Sequence, residues 1–489
     1  MKSGNAWMGM WAVLAISGLA GCTDPQPEAS TPALLKSQSP EAEPADTEVA
    51  PLRVVSPANT SLLWARQGYA PYEDERLDVV TQDRSGNVIA AGVFSGTIDF
   101  GLGRVWFGDP GDRFFVVVKY APDGQVLWNI PFRVYSHVPE GRDFASWSAI
   151  ATDRNGDILL AGQLQGQLEF ENSFFPLSSR HFLLRLSASG TPLWVQPINA
   201  DGPAGRITGL AIDEEGAIGV AGWVWGSVRF GPNNILASPH WSAAWLARLN
   251  PAGQVQWAQF LPTLSGPSLG QALTVDSEQH LLFAGTLGGD PFLSRVAPSG
   301  NQLWMRRIYG ANGSVTGVAT HGNRVVVTGQ FAGMFSVLGE TFSGVDESPD
   351  SFLVAYTRNG EARWAKQLAG TSTGVGMDQL DGIVVTGTFE PPGSPRVPPE
   401  NGFGSTMYVH RYERIQGNLL WRRHFGGSVV TTSTRPSSLH VARASGHIAI
   451  SGLFGGGAVD FGAGVMTPDA APNVPGNSRH NPFVLKLAP

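Results

Sequence analysis

Apolar residues fall along the chain in short blocks: Phe114–Tyr120, Phe182–Leu186, Trp245–Leu249, Phe352–Tyr356 and Met407–Tyr412 are runs of five to seven mostly apolar residues. They are too short for helices and rich in β-branched and aromatic side chains, so each reads as a buried strand. A glycine-bearing turn such as Pro122-Asp123-Gly124 follows, and then a tryptophan. Trp64, Trp128, Trp194, Trp257, Trp304, Trp364 and Trp421 recur in this way. Six of them stand four residues after a glycine: Gly124, Gly190, Gly253, Gly300, Gly360 and Gly417. Between successive tryptophans lies a second hairpin. Its first run ends in Asp83, Asp153, Asp213 or Asp276 in four of the units, and its second closes on a small residue and a glycine, as in Ala91-Gly92, Ala161-Gly162, Ala284-Gly285 and Ser451-Gly452. The repeat therefore predicts four strands, A to D, joined by tight A–B and C–D turns and by longer B–C and D–A connections.

The ends of the series complement one another. Trp64 has no preceding strand of its own, while the last unit stops at Phe483–Leu487, where its glycine and tryptophan should follow. A ring uses that complementarity, because closure removes exposed edge strands. The expectation is an all-β, seven-bladed propeller of four-stranded blades over residues 61–489, closed by an N-terminal strand at about 62–67 that completes the blade formed by the C-terminal strands. In blade four only 19 positions separate Gly285 from Trp304. The loop before strand C is deleted there, leaving room for a notch.

Composition supports this and narrows the partners. Gly 61 and Pro 35 with 15% charged residues favour turns and strands over helices. The net charge of -7 is mild and the basic residues are scattered, so nothing follows a phosphate backbone and nucleic acid is not expected as a partner. With one cysteine, no intrachain disulfide and no Cys-based zinc site can form. That cysteine, Cys22, follows a basic start (Met1-Lys2), an apolar stretch (Met8–Leu19) and Leu19-Ala20-Gly21. This resembles the lipobox of bacterial lipoproteins, which implies a signal peptide at 1–21, acylation of Cys22 and a membrane-anchored protein of the envelope. Residues 22–60, rich in Pro, Glu, Ser and Ala, lack hydrophobic period and read as a disordered tether with a reach of ~35 Å.

The runs Asp99-Phe100-Gly101 and Asp460-Phe461-Gly462, with the Ala-Gly closures and Gly-x-x-x-Trp, resemble the seven-bladed β-propeller repeats of bacterial secreted and lipid-anchored proteins. The resemblance covers residues 61–489 and implies fold, with almost nothing about activity. Gly-x-x-x-Trp also resembles the tryptophan motif of quinoprotein dehydrogenases, whose eight blades and vicinal disulfide do not fit this chain.

Chemistry is less legible. Gly266-Pro267-Ser268-Leu269-Gly270 and Gly370-Thr371-Ser372-Thr373-Gly374 match a nucleophile-elbow pattern, but both are assigned to D–A connections with no helix following. Asp153-Arg154-Asn155-Gly156-Asp157 lacks the glycine placement and glutamate of a calcium loop. No catalytic residue, metal or cofactor is expected beyond the acyl group on Cys22. Two sets of binding candidates remain. Asp78, Ser148, Thr208, Gln271 and Ser438 are polar positions of the A strands that would ring one mouth of the central channel. Trp106, Tyr135, Trp147 and Trp241, with Tyr69, Tyr72, Phe174 and Phe175, would stand on the face carrying the long loops. The expected function is a non-enzymatic scaffold that binds protein or glycan through that face. The rivals are a propeller enzyme, quinoprotein-like or glycan-active, and an outer-membrane assembly factor.

Overall fold

The computed structural model describes residues 61–489 except 69–74, 96, 101–104, 107–112, 136–144, 165, 171–172, 176–180, 231–234, 262–265, 345–349, 380–381, 390–404, 427–431, 463 and 469–479. Cys22, the tether, Tyr69 and Tyr72 lie outside the described residues. What is described forms strands and no helix. All pairing is antiparallel, and it divides the chain into seven four-stranded units. Blade 1 is Arg76–Gln82, Val88–Ser95, Arg113–Tyr120 and Val126–Tyr135. Blade 2 begins with Ala145–Thr152, Ile158–Leu164 and His181–Leu186. Its last strand is the first half of Pro192–Ile212, whose second half opens blade 3 ahead of Ile218–Arg229, Ile235–Leu249 and Val255–Phe260. That D–A connection is therefore continuous strand where a loop was expected.

Blade 4 is Ser268–Val275, Leu281–Leu287, Asp290–Val296 and Gln302–Arg307. Blade 5 is Gly313–His321, Arg324–Phe331, Asp350–Thr357 and Ala362–Leu368. Blade 6 is Thr371–Met377, Gly382–Phe389, Thr406–Glu413 and Leu419–Phe425. The seventh unit joins Ser433–Val441, Ile448–Gly455 and His480–Leu487 to Leu62–Gln67 from the other end of the chain. Leu62 pairs with Leu487 and Gln67 with Phe483, as the complementary ends require. Each A strand lies against the next, and the seventh lies against the first, so the ring is closed. The fold is a β-propeller.

Three recurrent contacts explain the repeat. The tryptophan of strand D lies on the C–D turn of the following blade, where a glycine leaves space: a Cβ on Gly124 would come within 2.7 Å of the Trp64 ring, and Gly124 also needs its left-handed φ of 86°. The indole N–H then donates to a turn carbonyl, Trp64 to Pro122 (2.9 Å), Trp257 to Pro298 (2.7 Å), Trp304 to Arg358 (3.0 Å) and Trp364 to Arg414 (3.0 Å). These tryptophans are blade-to-blade packing.

The aspartates at the A–B turns do more than the turn role read from the sequence. Asp83 Oδ1 accepts from the Ser85 and Asn87 amides, as a turn residue does, while its Oδ2 meets Lys119 Nζ at 2.9 Å. Asp153 pairs likewise with Arg185 (2.6 Å), Asp213 with Arg248, Asp276 with Arg295 (2.6 Å) and Asp378 with Arg411 (2.8 Å), all buried. Burial pushes the Asp83 carboxyl up, but hydrogen bonds from Asn87 and Lys119 and the Lys119 charge outweigh it and hold the group below its ordinary value. The cation also reaches the next blade: Lys119 donates to Ala188 O (3.1 Å), Arg185 to Pro251 O (2.8 Å) and Arg248 to Gln279 O (3.3 Å). In blade 7, Lys486 fills this place by donating to Gly86 O of blade 1 at 2.7 Å.

The third contact is a β-bulge in every A strand. The register skips one residue at Asp78, Ser148, Thr208, Gln271, Thr316, Thr373 and Ser437. The bulge drives an A-strand carbonyl onto the closing glycine of strand B: a Cβ on Gly92 would lie 1.9 Å from Arg76 O, on Gly285 2.0 Å from Leu269 O and on Gly387 1.9 Å from Thr371 O. The small-residue-plus-glycine closure seen in the sequence is the imprint of that bulge.

Candidate functional site

The bulge residues define one mouth of the channel, at the end where the A strands begin. In blades 1 to 4 the skipped residues are Asp78, Ser148, Thr208 and Gln271. In blade 7, however, the skipped residue is Ser437, one position before Ser438, because Pro436 faces Gly452 and Ser438 already faces Ser451. Ser438 Oγ instead accepts the amide of Val80 in blade 1 at 3.2 Å. Thr316 and Thr373 complete the ring, and the sequence reading missed them because blades 5 and 6 lack the Asp-x-x-Gly turn used for alignment. The missed signal was the closing pairs Thr328-Gly329 and Thr386-Gly387, which count back to the same bulge.

Several bulge residues are joined to the neighbouring blade. Asp78 Oδ2 accepts the Trp147 amide (2.9 Å), Thr208 Oγ1 donates to Gly270 O (2.8 Å), Gln271 Oε1 accepts the Val315 amide (3.0 Å), and Thr316 Oγ1 lies 2.8 Å from Ser372 Oγ. In each case the partner is the residue just before the next bulge. Ser148 stays within its blade, donating to Ala161 O at 3.3 Å. Most of these polar groups thus serve as inter-blade ties around the mouth, and their side chains are half-buried.

Arginines two residues before the bulge give the mouth its charge. Arg76 donates to Asp78 (2.7 Å) and to Ala145 O (2.6 Å), Arg435 Nε donates to Ser405 Oγ (3.3 Å), and the exposed Arg206 has no hydrogen-bond or ion-pair partner among the described residues. Burial raises the Asp78 carboxyl above its ordinary value, opposed by the Arg76 charge, the Trp147 amide bond and the charge of Arg206. Arg206 of blade 3 thus adds its charge to the mouth that Asp78 of blade 1 lines.

The opposite mouth, at the A–B turns, is barred. Arg443 in the turn of blade 7 donates across the channel to Val275 O of blade 4 at 3.1 Å, and Arg84 of blade 1 is ion-paired with Glu214 of blade 3. Gln82 Nε2 donates to His447 O (3.0 Å) and lies 3.4 Å from His440 Nδ1. Burial, with the Arg443 charge added, pushes the His440 imidazole down to about 4.

Around the open mouth the B–C connections form accessory hairpins: Thr97–Ile98 with Val105–Trp106, Gln167–Phe170 with Ser173–Phe175, Met334–Val337 with Glu340–Ser343, and Val459–Asp460 with Val465–Met466. In blade 3 strands B and C themselves lengthen into a ribbon, Ser227–Arg229 against Ile235–Ala237. Among the blades whose B–C connection is described, blade 4 is the exception. Its B and C strands meet in a two-glycine turn, Gly288 (φ 59°) and Gly289 (φ 89°). The deletion read from the sequence is real, but all four strands remain and the notch lies only above the blade.

Of the aromatic candidates, Trp241 is exposed (43%) and Trp147 is not: at 1% exposure it packs against Phe115 (4.3 Å between centroids) and Phe182 (5.6 Å). Trp147 faces Gly162 across the sheet, where a Cβ would lie 2.4 Å from the Phe182 ring and 3.0 Å from the Trp147 ring, so the glycine makes room for both. Trp106 and Tyr135 are placed at strand ends, paired with Thr97 and Gln167. Trp225 was not singled out from the sequence and is the more exposed tryptophan of the ribbon, at 51%.

Other potential chemistry is accounted for locally. Ser268 and Ser372 of the Gly-x-Ser-x-Gly runs lie within A strands, not in connections; Ser268 Oγ accepts the Ala244 amide (2.9 Å) and Ser372 Oγ donates to Gly329 O (3.3 Å). Asp276, Glu278 and His280 are one cluster of metal-type ligands among the described residues, but the charge they gather around is Arg295, bonded to Asp276 (2.6 Å) and Glu278 (2.8 Å) and 3.2 Å from His280 Nδ1. His410 and His424 bring their Nε2 atoms to 3.1 Å with ring centroids 5.4 Å apart. That is the nitrogen separation plus two ring radii, so the nitrogens point at each other as in a hydrogen bond rather than converging on an ion. Burial, then the charges of His424 and Arg422, lowers His410 to about 4.

The strand pairing and closed ring make this chain a repeat-built β-propeller. No family model matches it. Over 129 residues it is 30% identical to an uncharacterized WD repeat-containing protein of Acanthamoeba polyphaga mimivirus, covering 24% of this chain and 9% of the viral protein, so it spans about a tenth of that relative's length. Among solved structures it is similar to a quinohemoprotein alcohol dehydrogenase of Pseudomonas putida (11% identical, 90% of this chain and 78% of that chain, TM-score 0.41). It is also similar to hydrazine synthase of Kuenenia stuttgartiensis (10%, 82% and 97%, TM-score 0.44) and to a streptogramin B lyase (12%, 66% and 94%, TM-score 0.32). The propeller assignment rests on the pairing itself, and the chemistry of those proteins is not carried over.

Proposed function

We propose that the chain is a lipid-anchored, non-enzymatic binding scaffold of the bacterial envelope, presenting the open-mouth face to a protein or glycan. The observation that carries this reading is the asymmetry of the two faces: hairpins, the blade 3 ribbon and a polar, arginine-bearing mouth on one side, barred turns on the other. Loops held by a rigid scaffold are the usual seat of recognition. The Leu19-Ala20-Gly21-Cys22 run supports the anchor, and resemblance to bacterial propeller repeats supports the compartment. The first propeller strand, Leu62–Gln67, starts on the tight-turn side beside Leu487. The tether is therefore attached on the side opposite the open-mouth face.

The test is crosslinking in native cells with the full chain and with a chain shortened at 96–112 and 226–242. Loss of crosslinked partners on shortening is the expected result. An unchanged partner set would overturn the proposal.

A further inference from the structure

In blade 4 the B–C connection is a two-glycine turn beside the built-up ribbon of blade 3. In the register of blade 3, Arg206 stands opposite Trp223 and Ala204 opposite Trp225, and Trp223 and Trp225 stand opposite Ala244 and Ser242. Directly paired residues share a sheet face, so Arg206, Trp223, Trp225, Ser242 and Ala244 lie on one side of the ribbon. Ala244 packs with Leu273, Leu281, Phe283 and Phe292 of blade 4, which identifies that side as the one turned toward blade 4. Above blade 4 the B–C connection is cut back to the Gly288-Gly289 turn, so among the described residues nothing of that connection rises to cover the upper part of this face. This is why Trp225 keeps half of its surface in water and Trp223 is only half-buried.

The base of the opening is polar and aromatic. Arg307 donates to Asp290 (2.9 Å) and to Leu287 O (2.9 Å) beside the glycine turn and lies 4.9 Å from the Tyr309 ring centroid, and Tyr309 is 67% exposed. From Arg307 a cleft of about 370 Å³ runs between blades 4 and 5, along Ser336, Val337 and Glu361. Arg206, exposed and without a hydrogen-bond or ion-pair partner among the described residues, stands on the same side of the sheet as Trp223, its register partner.

An exposed indole presents a flat apolar surface with one polar edge, which suits the C–H face of a pyranose ring. A guanidinium presents a planar fork that suits a carboxylate. Hydroxyl-bearing side chains at the mouth suit a ligand that is itself rich in hydroxyls. We propose that the opening over blade 4 binds an acidic saccharide, with a uronate ring on Trp225 and Trp223 and its carboxylate on Arg206. This rests on the reading of the open-mouth face as the binding face and names its ligand class. An acidic peptide would satisfy Arg206 but would leave the tryptophan surfaces without a flat partner.

The probe is oligogalacturonate, titrated into the full chain in detergent micelles and followed by tryptophan fluorescence and calorimetry, with the methyl-esterified oligomer as control. Saturable binding is expected, weakened at least tenfold by esterification, by Arg206→Gln and by Trp225→Ala, and unaltered by Leu193→Ala on the outer strand of blade 2. Arg206→Lys separates loss of charge from loss of the planar fork and should restore part of the affinity. Absence of saturable binding, or binding indifferent to esterification and to both variants, would overturn the proposal. If native-cell crosslinks still depend on the 96–112 and 226–242 segments after such a result, the ligand class alone fails. If those crosslinks are also indifferent, the binding face fails with it.

Discussion

The two mouths of the propeller are built from the same repeats and differ in what their side chains are committed to. At the A–B turn side, charged groups are spent on the fold: buried Asp–Lys and Asp–Arg pairs join turn to strand and strand to the next blade, and Arg443 and the Arg84–Glu214 pair cross the channel. At the other side the bulge residues tie blades together with short polar side chains, and larger groups such as Arg206, Trp225 and Tyr309 are left over. A ring of repeats needs every blade joined to the next, and doing this with the turns on one side frees the other side to vary.

That contrast can be broken at graded cost. Asp213→Ala removes the partner of buried Arg248 and two turn hydrogen bonds, and should lower unfolding stability by about 3–5 kcal/mol in denaturant titration. Next is acid. The His440 imidazole is held at about 4 against an ordinary 6.5, so it stays neutral in the folded chain while the unfolded chain takes up a proton. Its contribution is fully present above pH 6.5 and is lost as pH falls toward 4, on the order of 3 kcal/mol. His440→Gln should flatten the denaturant midpoint between those pH values. Gly285→Ala pushes a Cβ onto Leu269 O and should cost about 1–3 kcal/mol, which tests the bulge as a strut. Trp225→Ala should change stability by less than about 0.5 kcal/mol, since half of that side chain is already in water. A large loss at Trp225, or a negligible one at Asp213, would erase the division between the faces.

Strand order, ring closure and the shortened blade 4 were legible because each leaves a periodic mark: the glycine–tryptophan spacing is set by docking on the next turn, and the closing glycine by a carbonyl pressed against it. The ion pairs were not, since Asp83 and Lys119 are 36 positions apart in the numbering and Lys119 reads as an interruption in an apolar run. Trp147 was misjudged because its position near a connection suggests exposure, whereas the Gly162 opposite it opens the core. Ser438 stands one residue past the bulge because blade 7's turn, Ala442 to His447, is one residue longer than those of blades 1 to 4, which span four residues from the aspartate. Trp225 and Arg206 carry no periodic signal, and only the register puts them on one face.

The division of labour between the faces is tested most directly by hydrogen exchange of the full chain. The turn amides of Gly86, Gly156 and Gly216, which donate to Asp83, Asp153 and Asp213 carbonyls, should exchange only with global unfolding. The hairpins Met334–Val337 with Glu340–Ser343 and Val459–Asp460 with Val465–Met466 should exchange orders of magnitude faster. Equal protection of both sets, or faster exchange at the turns, would contradict the account.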